Sequence, residues 1–550
     1  MKLLKKITVF VLLLVICLQT VACGGVTGNK DGYRKPEIDG PHMSERLYER
    51  VDEEAAMAAI SEVCALTKQE NKLEELTQKR EDFFTNFYNQ LDTMTTLASI
   101  NYDLDNTSEY WKEESLESTN IYSRLQNETI KMEQAVLGSE LYGQTFIDEL
   151  GQGYADMILS NQTDTEEQLA ILEEINQIKN DYITKMQVGD TESLYTDYVN
   201  FVNLSNEYAR SKTDDEGNPY TNYLDFAYET QFMRDYTPEE AHEFQLEIKT
   251  KIKDAKEIID IYSERVTASS TIISTDMLKE FIPAVIEKTA PSMMDSWNYM
   301  MERDLYDFSI SSKKSDTSYV TTFQAYDDAY LFLNASSLFV QDVSTLIHEF
   351  GHYNENFMAC PDWADPNLPS SNYDLLETHS QAFELITLPA VGEVIKEKYP
   401  NDKNLYKSYT FNLIDSLIWV LQSGTCFSNF EYEIYTASEE ELTEDFIKNT
   451  FNKLSYQYIP GTGISFYHVN HFFSAPAYYI SYPVSMVFSA EIWATNKAVE
   501  NYINVVKLGG QNTLSTVCEK TKLPSPLSSE AIDMVCDKIV EFAEKVYYQK

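Results

Sequence analysis

The sequence predicts a mainly α-helical protein with two lobes. Glycine and proline are sparse, 18 and 16 in 550 residues. Stretches mixing leucine, glutamate and lysine run long, which disfavours turn-rich sandwiches and barrels. At 43% hydrophobic and 13% aromatic, the chain has the composition of a folded protein. Its length is large for one core and sufficient for two lobes.

The first element is a short basic region, Met1 to Lys6, followed by the mostly apolar run Ile7 to Ala22. That run is short for a spanning helix. It ends Thr20-Val21-Ala22-Cys23-Gly24-Gly25, which resembles a bacterial lipobox with Cys23 as the lipidated residue, although Thr20 stands where leucine is commonest. An ordinary secretory signal is the rival reading. Both place the protein outside the cytoplasm, and the first ties it to the bacterial cell membrane through a lipid anchor. On this reading residues 1–22 are a lipoprotein signal peptide, and 23–43, rich in glycine and charge, are a flexible tether.

Residues 44–320 form the expected N-terminal helical lobe. Arg46 to Lys68 and Ser61 to Leu91 space their apolar residues at helical intervals. Thr237-Pro238-Glu239-Glu240 is a helix start, with threonine as N-cap, proline at N1 and glutamate at N3. Residues 321–550 are the expected catalytic region. Repeats and low-complexity tracts are not apparent. Beyond the leader the cysteines are Cys23, Cys64, Cys360, Cys426, Cys518 and Cys536, without a C-x-x-C. Cys518 with Cys536 is a conceivable disulfide, but buried free thiols are expected. The formal net charge of −45 argues against nucleic-acid binding, which needs clustered Lys and Arg.

Residues 348–352 read His348-Glu349-Phe350-Gly351-His352, the H-E-x-x-H pattern of a zinc hydrolase. On a helix, positions i and i+4 share a face, so both imidazoles can bind one ion. Glu349 can then serve as general base toward a water at the ion. The bland alternative is a chance match on a solvated helix. Against it stand a possible N-cap, Asp342 or Ser344, and an apolar face of Val343, Leu346, Ile347, Phe350 and Phe357. A catalytic zinc site needs a third ligand. The following segment, 370–389, has a helical pattern that Pro389 is expected to end, and offers Asp374, Glu377, Glu384 and His379. Spacing does not choose among them.

Further on, Tyr467-His468-Val469-Asn470-His471 opens a tyrosine-rich stretch in which Tyr478 and Tyr482 lie four apart. Tyrosine O–H and histidine N–H groups can stabilise the oxyanion of peptide hydrolysis. In a chain with 38 tyrosines, aromatic packing is the competing account. Ala329 to Asn334 is an apolar run of strand type that either holds an extended peptide at a sheet edge or is simply buried.

The pair HEFGH and Leu375-Leu376-Glu377-Thr378-His379-Ser380-Gln381, with Glu377 29 residues after His348, resembles peptidase family M3, which contains thimet oligopeptidase and oligoendopeptidase F. Asn206 to Arg210 and Asn222 to Tyr228 also look like that pattern, so the resemblance covers most of residues 200–500. The first 200 residues match in general helical character. The resemblance implies that His348, His352 and Glu377 bind one Zn²⁺ and that Glu349 is the base. His379 then stands beside the ligands or is structural. His471, Pro476, Tyr478, Tyr479 and Tyr482 fit the family's substrate-side segment, which makes His471, Tyr478 and Tyr482 the expected carbonyl and oxyanion contacts, with His468 a weaker alternative. Tyr330, Asn334 and Tyr479 are expected at the substrate. One departure is Glu355, where many members have a third histidine that is not a general metal ligand.

The implied fold is a two-lobed helical zincin-like metallopeptidase, with a small sheet beside the HExxH helix and a deep channel. Such a channel admits short unfolded peptides and excludes folded proteins. The expected protein is a monomeric zinc oligopeptidase cutting internal bonds. The alternatives are a carboxypeptidase or dipeptidyl carboxypeptidase of a related helical family, and a peptide-binding lipoprotein without catalysis.

Overall fold

The computed structural model describes residues 40–548 apart from 161–163, 215, 316, 361–362 and 365–370. The leader and Cys23 lie outside the described residues. The architecture is mainly helical, with one small three-stranded sheet. Among the described residues, no helix is long and apolar enough to cross a membrane.

Buried apolar residues form two clusters. One spans Ala56 to Ile158, and the larger joins residues from Leu97 to Val546. The expected division at 320/321 falls inside the larger cluster. The capping box at Thr237 forms as read: Thr237 Oγ1 accepts from Glu240 N at 3.2 Å, and Glu240 Oε2 accepts from Thr237 N at 2.8 Å.

The strands β1 (Tyr306–Asp307), β2 (Ser318–Phe323) and β3 (Asp328–Leu333) lie in the order β1-β3-β2. β1 runs parallel to β3 and β2 antiparallel to it, with Tyr319 opposite Phe332 and Thr321 opposite Tyr330. The chain reverses between β2 and β3 at Asp327, whose φ is +51°. All six residues of β3 are buried, because it is the central strand, with neighbours on both sides and a helix on one face.

That helix, Phe339–Met358, carries the HEFGH motif and buries Val343, Leu346, Ile347, Phe350 and Phe357 completely or nearly so. It begins before the expected N-cap. Leu338 occupies the cap position without a side-chain bond, and Ser344 lies well inside. Asp342 sits in the first turn and accepts from Ser336 N (2.8 Å) and Ser337 N (2.9 Å) of the loop leading in. A carboxylate there satisfies loop amides and lies favourably at the positive end of the helix dipole.

The next helix, Tyr373–Lys398, starts at an Asn372 cap that accepts from Asp374 N and Leu375 N. It continues through Pro389 instead of ending there. An interior proline costs a helix about 3 kcal/mol. Leu385, Leu388, Val391, Val394 and Ile395 are buried on both sides of it, and their packing outweighs that local cost. The two helices approach closely at Gly351. A Cβ there would stand 2.7 Å from the His379 carbonyl oxygen and 2.7 Å from Ser380 Cα. The helix Ser481–Ala494 packs on the other side through small residues, Ser485 donating to Gln381 Oε1 at 3.0 Å and Ser489 to Thr378 O at 3.3 Å.

Candidate active site

Three ligand atoms converge between the first two of these helices. Atoms of His348, His352 and Glu377 all lie within 4.8 Å of one another. Each histidine Nε2 is 3.9 Å from Glu377 Oε2. Ligands on a tetrahedral zinc with bonds of about 2.1 Å stand roughly 3.4 Å apart, so this donor set fits such an ion with small adjustments. Two nitrogens and a carboxylate also suit zinc chemically. Among the described residues, no other cluster of this kind occurs.

Each ligand is held from behind. His348 Nδ1 lies 2.8 Å from Glu384 Oε1, and Glu384 Oε2 accepts from Ser344 Oγ at 3.1 Å. Glu384, two turns beyond Glu377 on the same helix, is therefore the carboxylate that orients the imidazole and directs Nε2 to the centre. Burial pulls His348 down, but the Glu384 hydrogen bond and the charges of Glu384, Glu349 and Glu377 outweigh it and push it up to about 9. Burial takes His352 down to about 3, so it is neutral and ready to ligate. Glu377 Oε1 accepts from Tyr478 O–H at 2.7 Å.

Glu349 is buried, and its Oε1 accepts from Ser318 Oγ of β2 at 2.8 Å. Burial pushes its carboxyl up to about 7, against the pull of His348 and the Ser318 bond.

On the other wall, His471 stacks on Tyr478 with ring centroids 5.3 Å apart, and Tyr482 lies edge-on to Tyr478 at 5.1 Å. His471 is 4% exposed, and its Nε2 has no hydrogen-bond partner among the described residues. Tyr479 packs against His471 and Phe427. His468 turns away, its Nδ1 accepting from Ser465 N at 3.1 Å in its own turn.

Two expected substrate residues lie elsewhere. Tyr330 is 2% exposed within β3, and a central strand has no edge for a peptide to join. Asn334 is used by the loop before β2, donating to Ser311 O and Ser315 O and accepting from Ser311 N. The edge beside Glu349 belongs to β2. Asn334 N donates to Thr317 O at 3.3 Å, and the alternation of an antiparallel ladder then turns the main-chain groups of Ser318 and Val320 away from β3.

His379 is wholly buried, is absent from the ligand cluster, and offers its carbonyl to Tyr502 O–H at 2.9 Å. Glu355, the departure from the family pattern, accepts from Gly510 N at 3.0 Å and so ties its helix to the loop after the helix Ala498–Leu508. Cys518 and Cys536 are free thiols.

Ser318 escaped the sequence reading because its bond to Glu349 spans 31 residues and two element types. Glu384 was among the acidic candidates, and the spacing of seven from Glu377 was the signal for its role.

A helix carrying HExxH, a candidate glutamate ligand from the next helix and a small sheet behind them match a helical HExxH-type peptidase architecture. The model of peptidase family M3 matches residues 225–533, more than half of the chain, and the chain belongs to that family. An oligoendopeptidase F homolog of Borreliella burgdorferi (strain ATCC 35210 / DSM 4680 / CIP 102532 / B31) is 28% identical over 196 residues, 33% of this chain and 32% of the relative. The chain thus spans about a third of the length of that curated relative. PZ peptidase A with inhibitor 2 superposes with a TM-score of 0.72 at 18% identity, over 91% of this chain and 99% of that one. A candidate oligoendopeptidase F from Bacillus anthracis str. Ames gives 0.70 at 18%, over 92% and 98%. A Pyrococcus furiosus carboxypeptidase gives 0.56 at 12%, over 89% and 99%. At these identities the structures share the fold.

Proposed function

We propose that this chain is a zinc-dependent oligopeptidase that hydrolyses internal bonds of short unfolded peptides. The observation that carries the reading is the convergence of His348, His352 and Glu377 with Glu349 fixed beside them. Family membership supports peptide hydrolysis.

Zinc held by His348, His352 and Glu377 would polarise the scissile carbonyl and acidify a water. The rest falls to the protein. Glu349, with Oε1 held by Ser318, takes a proton from the attacking water on its second oxygen and delivers it to the leaving amine. Tyr482 O–H and His471 N–H meet the carbonyl oxygen as it becomes an oxyanion. Tyr478, engaged with Glu377, holds that carboxylate in position. The peptide lies extended along β2, pairing with the outward main-chain groups of Ser318 and Val320.

Purified protein with a quenched fluorescent peptide tests this. Cleavage lost to a chelator, restored by zinc and yielding fragments from internal bonds is expected. Peptides with blocked C-termini should be cut equally well; a requirement for a free C-terminus would indicate a carboxypeptidase instead. Glu349→Gln should lower turnover by about 10²–10⁴-fold with zinc still bound. A zinc-loaded protein that binds peptides but cleaves none would be a binding lipoprotein.

From residues 1–23 we also infer an extracytoplasmic protein anchored through a lipid on Cys23. Intact mass of the membrane-associated protein checks it: Cys23→Ser should remove the lipid mass and release the protein from membranes.

A further inference from the structure

The segment that delivers Tyr478 to Glu377 is held by buried ionisable residues that are not among the candidate ligands. Ala477, immediately before Tyr478, has φ of +69°, a left-handed conformation unusual for alanine, and is 2% exposed. Both faces of its backbone are held. Its N–H donates to Glu431 Oε1 at 2.7 Å, and its carbonyl accepts from an Arg234 terminal nitrogen at 2.9 Å. Arg234 also donates to Ser481 Oγ at 2.8 Å and faces Asp374, with both side chains at 0% exposure. Ser481 in turn donates to Asp374 Oδ1, and Tyr236 O–H donates to Asp374 Oδ2 at 2.7 Å. The guanidinium is sandwiched by the rings of Tyr228 and Phe232, 4.3 and 4.4 Å away.

These residues come from three distant parts of the chain. Asp374 lies one turn before Glu377 on the same helix. Glu431 lies near the end of the helix Leu405–Tyr435. Arg234 follows Met233, whose carbonyl accepts from Asn372 Nδ2, the cap of the Glu377 helix. One connected set of buried bonds therefore links the backbone before Tyr478 to the first turn of the helix that carries Glu377. Burying such groups is expensive unless each is hydrogen-bonded: Arg234 faces Asp374, while burial pushes Glu431, whose Oε2 has no partner among the described residues, up to about 8. A strained alanine held this way is the pattern expected where a neighbouring side chain must be placed to a few tenths of an ångström.

We propose that Arg234, Asp374 and Glu431 clamp Ala477 and are positioning residues: they set Tyr478 against Glu377 and thereby the readiness of the site for zinc. The inference rests on the peptidase reading for its effect on turnover, but its effect on metal binding does not depend on that reading.

The test uses the full chain and zinc alone. Zinc affinity is measured by competition with a chromogenic chelator for the native chain, E431L, E431Q, Y478F and the double variant E431L/Y478F. E431L removes the acceptor and should weaken zinc binding about tenfold, the scale seen when groups behind metal ligands are lost. E431Q retains an acceptor for Ala477 N–H and should recover to within about threefold. Y478F should match E431L, and the double variant should be no worse than either. Additive losses, or native affinity in folded E431L, would overturn the clamp. Arg234→Lys, which keeps the charge but not the fork to Ala477 O and Ser481 Oγ, gives the same readout if E431L does not fold. Peptide turnover is recorded in parallel. Zinc affinities that follow this pattern without cleavage by any variant would uphold the clamp and reject the peptidase reading.

Discussion

Glu384 and Ser318 each touch one reactive residue, and their replacement should separate metal binding from proton transfer. Glu384→Gln leaves a hydrogen-bond acceptor for His348 but removes the charge, so zinc affinity should fall about 10- to 100-fold in chelator competition. Ser318→Ala leaves the ligands untouched and frees one Glu349 oxygen. Its zinc content should be native while turnover drops about tenfold, and an unchanged turnover would remove Ser318 from the mechanism. Away from the site, Glu491 is buried with no partner for either oxygen among the described residues, and burial, with Glu530 nearby, pushes it up to about 9. It holds its proton in the folded state while an unfolded chain releases it near 4.5. This group's contribution is therefore fully present below that value and is lost as pH rises toward 9, by about 1.4 kcal/mol per unit. Glu491→Gln should flatten the fall in urea midpoint between pH 5.5 and 7.5 and leave the more stable protein at the higher pH. At this scale the sequence was informative where chemistry and spacing coincide. His348, Glu349 and His352 announce themselves, whereas Glu377 needed a family resemblance because Asp374 and Glu384 fit the same pattern. Arg234, Glu431 and Ser318 act across the fold, and local patterning carries no trace of them.

Between elements, the decisive contact is the approach at Gly351. A Cβ there would stand 2.7 Å from backbone atoms of His379 and Ser380, which cannot rotate aside. Gly351→Ala should destabilise the protein by about 1–3 kcal/mol, measured by chemical denaturation, and weaken zinc binding by moving Glu377 from the two histidines. Native stability would contradict the close approach. The helices carrying the site were readable from their apolar spacing, and the capping box at Thr237 from its residue types. Their ends were less so. Pro389 was expected to end a helix that burial on both sides carries through. The β3 run was recognised as a strand, but its place in the middle of the sheet depends on β1 and β2, neither of which has a hydrophobic pattern of its own.

The whole molecule carries a formal charge of −45, and most acidic groups belong to its surface. Self-repulsion of that size opposes compaction, and salt screens it, with a Debye length falling from about 30 Å at 0.01 M to about 8 Å at 0.15 M. The thermal midpoint should therefore rise with sodium chloride across that range; an unchanged or falling midpoint would mean that exposed attractive pairs such as Arg124–Glu53 dominate. Composition was sufficient for the helical class. It could not locate the packing units, because residues that are far apart in sequence share one apolar cluster on both sides of position 320.

The proposed base depends on a contact that the proposed ligands do not use. His348, Glu349 and His352 share one helix, which meets the helix of Glu377 backbone to backbone at Gly351, and the carboxylate of Glu349 is aimed by one further bond, a hydroxyl from β2, a strand with a neighbour on one side. Under gentle warming or dilute denaturant, the contact expected to give first is the one between this helix and the outer strand. The expected order of failure is loss of turnover first and loss of the ion second, leaving a species that scores as loaded by metal analysis and dead by assay. Shelf life would then be set by this one contact instead of by global unfolding.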